Sequence, residues 1–209
     1  MTNVINETKE KTPYHHGDLK AAIIKTASTM LESQGIEALS LRKIAENVGV
    51  SRTAAYHHYK DKNELLSAIA SQGFLLWKTQ VELIFSNKAL SHRQQLSQFC
   101  HGYIQFAVNN PHTYDLMFGR TLWKNNVSSD ELKKVAYPSF EYQVAMTKHW
   151  QEQGLLAKTE NSLRLAQVLW GTLHGIAKLM LDGIYTDTSN ITQMCDCAIA
   201  LFIVNKKTS

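Results

Sequence analysis

The chain holds 209 residues, 44% of them hydrophobic, with three prolines, ten glycines and a formal net charge of +4. That is enough apolar material for one compact body or two small domains, and no stretch approaches the ~18 uncharged apolar residues of a membrane span: the longest, residues 165–177, stops at Lys178. Cys100, Cys195 and Cys197 are an odd number without a CxxC spacing, which argues against a disulfide scaffold, a zinc finger or a redox pair.

Residues 1–13 are polar with alternating charge and lack the apolar core of a signal peptide; they read as a tail, and the protein as cytoplasmic. A first helix is expected over residues 18–34, capped by Asp18, with Leu19, Ile23, Ala27, Met30 and Leu31 as its buried stripe. Leu41, Ile44, Ala45 and Val48 then fall at i, i+3, i+4 and i+7 behind a Ser40 cap, and Gly49 ends that helix. Ser51 caps a third helix over 52–59, with Val50 stapling onto Ala55. Burying Ala55 and Tyr59 turns Thr53, Tyr56, His57 and Lys60 outward. Thr53 and His57 suit base edges; Arg52, Tyr56 and Lys60 reach phosphates.

A short helix, a tight turn and a second helix with a polar outer face is the pattern that enters a major groove, although a plain helical hairpin fits the bare spacing too. Local charge points toward DNA: residues 42–62 hold Arg42, Lys43, Arg52, Lys60 and Lys62 against Glu46 and Asp61. Asp61 caps a fourth helix over 62–85, with Glu64 completing a capping box. Lys62 opposes the helix dipole there, a mismatch that a phosphate would relieve. Gly73, midway, either bends this helix or admits a close neighbour.

Helices follow over 93–110 and, after Pro111, through HTYDLMFG; Ser128 with Glu131 opens one over 128–153, stopped by Gly154. Two more span 161–181 and 190–204. The fold is expected to be all-α, about nine helices, in an N-terminal helix-turn-helix domain and a C-terminal helical domain. The boundaries read as residues 14–66 for DNA binding, 67–87 for a connector and 88–209 for sensing and dimerisation. The second part is rich in aromatics that serve equally as core or as pocket lining. Phe99, Tyr103, Phe106, Met117, Phe118, Trp123, Met146, Trp150, Trp170 and His174 are the pocket candidates, with His101 and His149 as further polar groups. No nucleophile elbow, metal spacing or phosphate loop appears, so no enzyme, cofactor or metal is expected.

The run AAIIKTASTMLESQGIEALSLRKIAENVGVSRTAAYHHYKDKNELL resembles the DNA-binding domain of the TetR (tetracycline repressor-like) family of bacterial transcription regulators. The resemblance covers residues 19–66 and departs from the family at Tyr59, where Phe is usual, and at Thr53-Ala54 in the variable base-reading part. It implies DNA-binding roles for Ser40, Arg42, Ser51, Arg52, Thr53, Ala54, Tyr56, His57, Tyr59, Lys60 and Lys62, with Tyr14, His15 and His16 near the backbone. Later, Asn110-Pro111-His112-x-Tyr114-x-Leu116-Met117-Phe118-Gly119 and Trp170-Gly171-x-x-His174-Gly175 resemble a C-terminal subgroup with a Trp–His–Gly pattern. The resemblance implies a homodimer through the last two helices, for which Leu165, Leu169, Leu173, Ile191, Met194, Ala198 and Phe202 are the candidates. The expected function is a repressor on palindromic double-stranded operator DNA, released by a small apolar or amphipathic effector whose identity the resemblance does not imply, with no membrane partner. The alternative is a constitutive DNA-binding regulator controlled by a protein partner.

Overall fold

The computed structural model describes residues 19–124, 128–185 and 190–204; Tyr14, His15, His16, Asp18 and the tail lie outside them. The described chain is helical, as expected, and among the described residues no helix is long and apolar enough to cross a membrane. The N-terminal part comprises α1 (Leu19–Gln34), a 3-10 turn (Ile36–Ala38), α2 (Leu41–Val48) and α3 (Arg52–His58). It leads into the long α4 (Lys62–Ser86), followed by α5 (His92–Asn109), α6 (Pro111–Phe118), α7 (Arg120–Trp123), α8 (Asp130–Glu152), α9 (Ser162–Leu181) and α10 (Ile191–Phe202).

Local signals set most boundaries. Ser40, Ser51 and Asp61 accept backbone N–H bonds at the starts of α2, α3 and α4. Gly49, at φ 81°, ends α2 in the left-handed conformation its missing Cβ permits. Three boundaries differ from expectation. Ser91 and Gln94 form a reciprocal capping box that starts α5 early. Ser129, not Ser128, caps α8. The four-residue α7 adds a helix that sequence periodicity is too short to show.

Helix α4 joins the two halves. Leu65, Leu66 and Ile69 are buried where α4 meets α1, while Phe74, Trp77 and Val81 enter the core of the C-terminal part. Gly73 admits a neighbour: a Cβ there would lie 2.6 Å from Met117 Sδ and 2.8 Å from Thr113 Cγ2 on α6. At its other end α6 meets α1, where the Glu32 carboxylate accepts the backbone N–H groups of His112 (3.2 Å) and Thr113 (2.8 Å). A carboxylate at a helix N-terminus satisfies orphan donors and opposes the dipole favourably. Helix α6 is thus held along its length by α4 and at its N-terminus by α1.

Candidate nucleic-acid interface and ligand cavity

On α3, Ala55 and Tyr59 are buried, while Ser51, Arg52, Thr53, Tyr56, His57 and Lys60 are exposed and Ala54 is half-buried. Ser40 is half-buried at the α2 cap, where its hydroxyl accepts from Lys43 N at 3.2 Å. Tyr56 stands 53% exposed, an unusual exposure for a ring. The exposed Arg42 and Arg52 share Glu46, at 3.1 and 3.8 Å. Exposed pairs of this kind contribute about 0–1 kcal/mol, so a phosphate can take either arginine over.

One of the expected DNA contacts is corrected, and a second has a partner within the protein. Tyr59 is only 2% exposed, so it supports α3 from below instead of meeting nucleic acid. Burial, with Glu64 as a second cause, pushes its phenol up to about 12, and the hydroxyl has no hydrogen-bond partner among the described residues. Lys62 is half-buried and donates from Nζ to the Ile36 carbonyl at 2.7 Å. Its ammonium ties the 3-10 turn to α4 and relieves the dipole mismatch from within the protein. Glu64 departs from the expected box as well, accepting the Lys60 N–H at 2.7 Å.

In the C-terminal part, α4 to α9 surround a cavity of about 280 Å³. Of the ten pocket candidates, Tyr103, Met117, Phe118, Trp123 and Trp170 line it. Phe99, Phe106, Met146 and Trp150 do not; they are core side chains, with Trp77 rings away at 5.6 Å from Phe99 and 5.7 Å from Phe106. The sequence reading missed Phe74 and Trp77 on α4, and Ala136, Tyr137, Ser139, Phe140 and Gln143 on α8. Pro138 sits within that α8 stretch, where it removes a helical donor, and Ser139 Oγ donates to Val135 O at 2.9 Å. Of the further histidines, His101 pairs with Asp196 of α10 at 2.9 Å, and His149 packs edge-on against Phe85 and His92. Neither lines the cavity.

His174 lies one layer behind the wall, at the end of a hydrogen-bond chain. Trp170 Nε1 donates to Tyr103 Oη (2.8 Å), which meets Tyr114 Oη (2.9 Å), which meets His174 Nδ1 (2.6 Å). Burial holds both phenols protonated, pushing their ionisation well above the ordinary tyrosine range. It also lowers the pKa of His174, helped by Lys178 and opposed by Asp115. The indole of Trp170 can only donate, so the bonds run as one chain from it through Tyr103 and Tyr114 to the His174 ring.

A histidine whose folded-state pKa is depressed binds fewer protons folded than unfolded just below its ordinary value of 6.5. Its stabilising contribution is therefore complete above pH 6.5 and lost as pH falls from there toward the lowered folded value. Melting temperatures of wild type and His174→Gln, followed from pH 7.5 to 5.5, should converge on acidification, because glutamine keeps an acceptor for Tyr114 but does not titrate. Parallel curves would show that His174 is protonated equally in both states.

Three of the dimer candidates are buried within a single chain. Leu169 and Leu173 are fully buried and Ala198 nearly so, and Leu165, Ile191 and Phe202 pack against the same core. Met194 is half-buried. Helix α9 turns Val168, Gly171 and Leu179 outward, with Gly175 half-buried beside them, and α10 turns out Cys197 and Leu201, with Val204 exposed just past its end. A Cβ at Gly171 or Gly175 would meet nothing within 4 Å.

Comparison with known proteins fits both halves. The family described as bacterial regulatory proteins, tetR family, matches residues 23–69, and the tetracyclin repressor-like C-terminal domain matches residues 96–202. The tetracycline repressor protein class C of Escherichia coli is 43% identical over 51 residues, 24% of this chain and 23% of that protein. The match thus spans about a quarter of that curated relative's length. A structure of a protein with unknown function from Rhodococcus sp. RHA1 superposes with a TM-score of 0.80 at 28% identity, covering 92% of this chain and 97% of the other. The SmeT–triclosan complex, at 18% identity and a TM-score of 0.63 over 90% of this chain and 92% of that one, shares the fold.

Proposed function

The chain belongs to the TetR family of bacterial regulatory proteins, and on that premise we propose that it is a transcriptional repressor that binds palindromic operator DNA as a homodimer and is released by a small apolar ligand. The observation that carries the DNA reading is the exposed side of α3: Thr53, Tyr56, His57 and Lys60 stand in solvent while Ala55 and Tyr59 anchor the helix below. Thr53 and His57 read base edges; Arg42, Arg52, Tyr56 and Lys60 hold phosphates, with the caps Ser40 and Ser51 and the small Ala54 letting the backbone come near. Lys62 positions this unit through Ile36. Two copies must place their α3 helices about 34–36 Å apart to meet successive major grooves. The outward faces of α9 and α10 supply the pairing surface. Residues 14–66 form the DNA-binding unit and 88–209 the sensing and dimerising unit, in the C-terminal subgroup marked by Trp170 and His174. The segment 67–87 belongs to both, because Phe74 and Trp77 line the cavity.

The cavity favours a small-molecule effector over control by a protein partner, and SmeT, of like fold, holds triclosan. A ligand shifts an equilibrium only by preferring one of its states. Met117 and Phe118, at one end of α6, touch the cavity; His112 and Thr113, at the other, are held by Glu32 of α1. A ligand that moves α6 therefore moves α1, and with it the spacing of the recognition helices.

Selection of bound fragments from the host genome, followed by anisotropy titrations, tests the DNA reading. Lys60→Ala should weaken all fragments alike and lower the salt slope by about 1, whereas Tyr56→Ala should weaken them alike and leave the slope unchanged. His57→Ala should cost roughly 1–3 kcal/mol on the selected fragment and relax discrimination at one base pair. Variants that bind like the parent would remove α3 from the interface.

A further inference from the structure

The walls of the aromatic cavity differ from an ordinary pocket in what they lack. Eight of the twelve wall residues are aromatic, and among the described residues none on the wall is charged or a histidine. Rings meet there edge to face, Phe74 against Phe118 at 5.3 Å and 80°, and Trp77 against Tyr103 at 5.3 Å and 81°. Both faces and edges are therefore offered to a guest. The volume, about 280 Å³, lies just under the roughly 300 Å³ at which drug-sized pockets begin.

The polar groups of the inner wall have a common state. Trp170 Nε1 donates to Tyr103 Oη (2.8 Å), and Trp123 Nε1 to the Met117 carbonyl (2.7 Å). Ser139 Oγ donates to the Val135 carbonyl, and Gln143 Nε2 to the Ala166 carbonyl (3.3 Å). Tyr103 Oη also meets Tyr114 Oη (2.9 Å). The donors of Trp170, Trp123 and Ser139 are thus spent inside the protein. Acceptor capacity remains, on Ser139 Oγ and on Oε1 of the buried Gln143. Tyr137 stands at the mouth, 57% exposed.

We propose that this cavity takes an uncharged, flat aromatic molecule carrying one hydrogen-bond donor, of the phenol or indole kind. The inference rests on reading the cavity as the effector site and adds the ligand's chemistry to it. An anion would lose its hydration with no cation to replace it. A cation would meet ring faces, but cation–π attraction repays only part of its desolvation when no carboxylate stands by. A neutral aromatic without a donor would leave Gln143 Oε1 buried and unmatched once water is expelled, and the donor answers that cost.

Four probes on one ring system test this with the full-length protein: 2-naphthol, 2-methoxynaphthalene, 2-naphthoate and trimethyl(2-naphthyl)ammonium, titrated by calorimetry. The naphthol should bind about tenfold more tightly than its methyl ether, the worth of one net hydrogen bond, and both ions should bind at least about a hundredfold more weakly than the naphthol. Gln143→Leu should bring naphthol and ether within about twofold of each other; Ser139→Ala gives a second, gentler reading if the leucine variant does not fold. Equal binding of naphthol and ether to wild type, an ion that matches the naphthol, or binding of none of the four overturns the proposal. Release of a selected operator fragment is measured separately. The predicted ranking without release upholds the ligand class and removes the regulatory reading. Release by an ion that outcompetes the naphthol does the reverse.

Discussion

Replacing Leu201 by arginine should leave each chain folded, abolish the homodimer and lower operator affinity by roughly 10²–10⁴-fold, the range that joining two binding modules adds. Leu201 is 80% exposed, so the separate chain gives up almost nothing; surface changes away from special features fall within about 0.5 kcal/mol. In a two-fold interface the same patch meets its own copy, so one substitution sets two unpaired cations into an apolar contact. Along α9 the proposed partner surface is Val168, Gly171, Gly175 and Leu179, where absent side chains would let backbones approach. Leu169→Arg makes the contrast. Leu169 is fully buried in its own chain, so that variant should unfold the protein before it tests any dimer. Sedimentation velocity, thermal melting and anisotropy on the selected fragment separate the cases. A dimer that survives Leu201→Arg puts the interface elsewhere.

How much of this was legible in the sequence depends on how local its cause is. The α2–turn–α3 unit was legible because each boundary is set within four residues: Ser40 caps Lys43 N, Gly49 takes φ 81°, and Ser51 caps Ala54 N. The outward side of α3 followed from 3.6 residues per turn once Ala55 was placed inside. The pairing surface was less legible, because an apolar stripe records burial but not by what. Leu165, Leu169 and Leu173 form the strongest stripe on α9 and are covered by their own chain, whereas the outward side is weakened on any hydrophobicity scale by Gly171 and Gly175. The cavity was half legible. Tyr103, Met117, Phe118, Trp123 and Trp170 open onto it, but Phe99 and Trp150, equally aromatic, fill space beside them. That division is made by how helices from distant parts of the chain interdigitate, for which no local pattern exists. Phe74 and Trp77, three apart on α4, were the missed signal: a connector carrying two inward rings has a second task.

Gly73→Val should lower the melting temperature by roughly 2–12 °C and close the ligand cavity in one stroke. At this point α4 and α6 touch, and a Cβ on residue 73 would lie 2.6 Å from Met117 Sδ and 2.8 Å from Thr113 Cγ2. Both neighbours are buried, and Met117 already lines the cavity, so the room it can move into is the space a ligand would use. Overpacking of this kind costs roughly 1–3 kcal/mol, which at about 2–4 °C per kcal/mol gives the range stated. Gly73→Ala sets the magnitude of the clash against helix propensity. Alanine gains about 1 kcal/mol over glycine inside a helix, so its net effect should be small, while valine adds bulk with less propensity to offset it. The displaced α6 also carries Thr113, whose N–H is bonded to Glu32 on α1. Valine should therefore weaken operator binding without any ligand, and adding Glu32→Gln, which removes the charge from that link, should soften the effect. A valine variant that melts like wild type would mean that α4 and α6 part freely, and the route from cavity to recognition helix would then have to run through α4 alone.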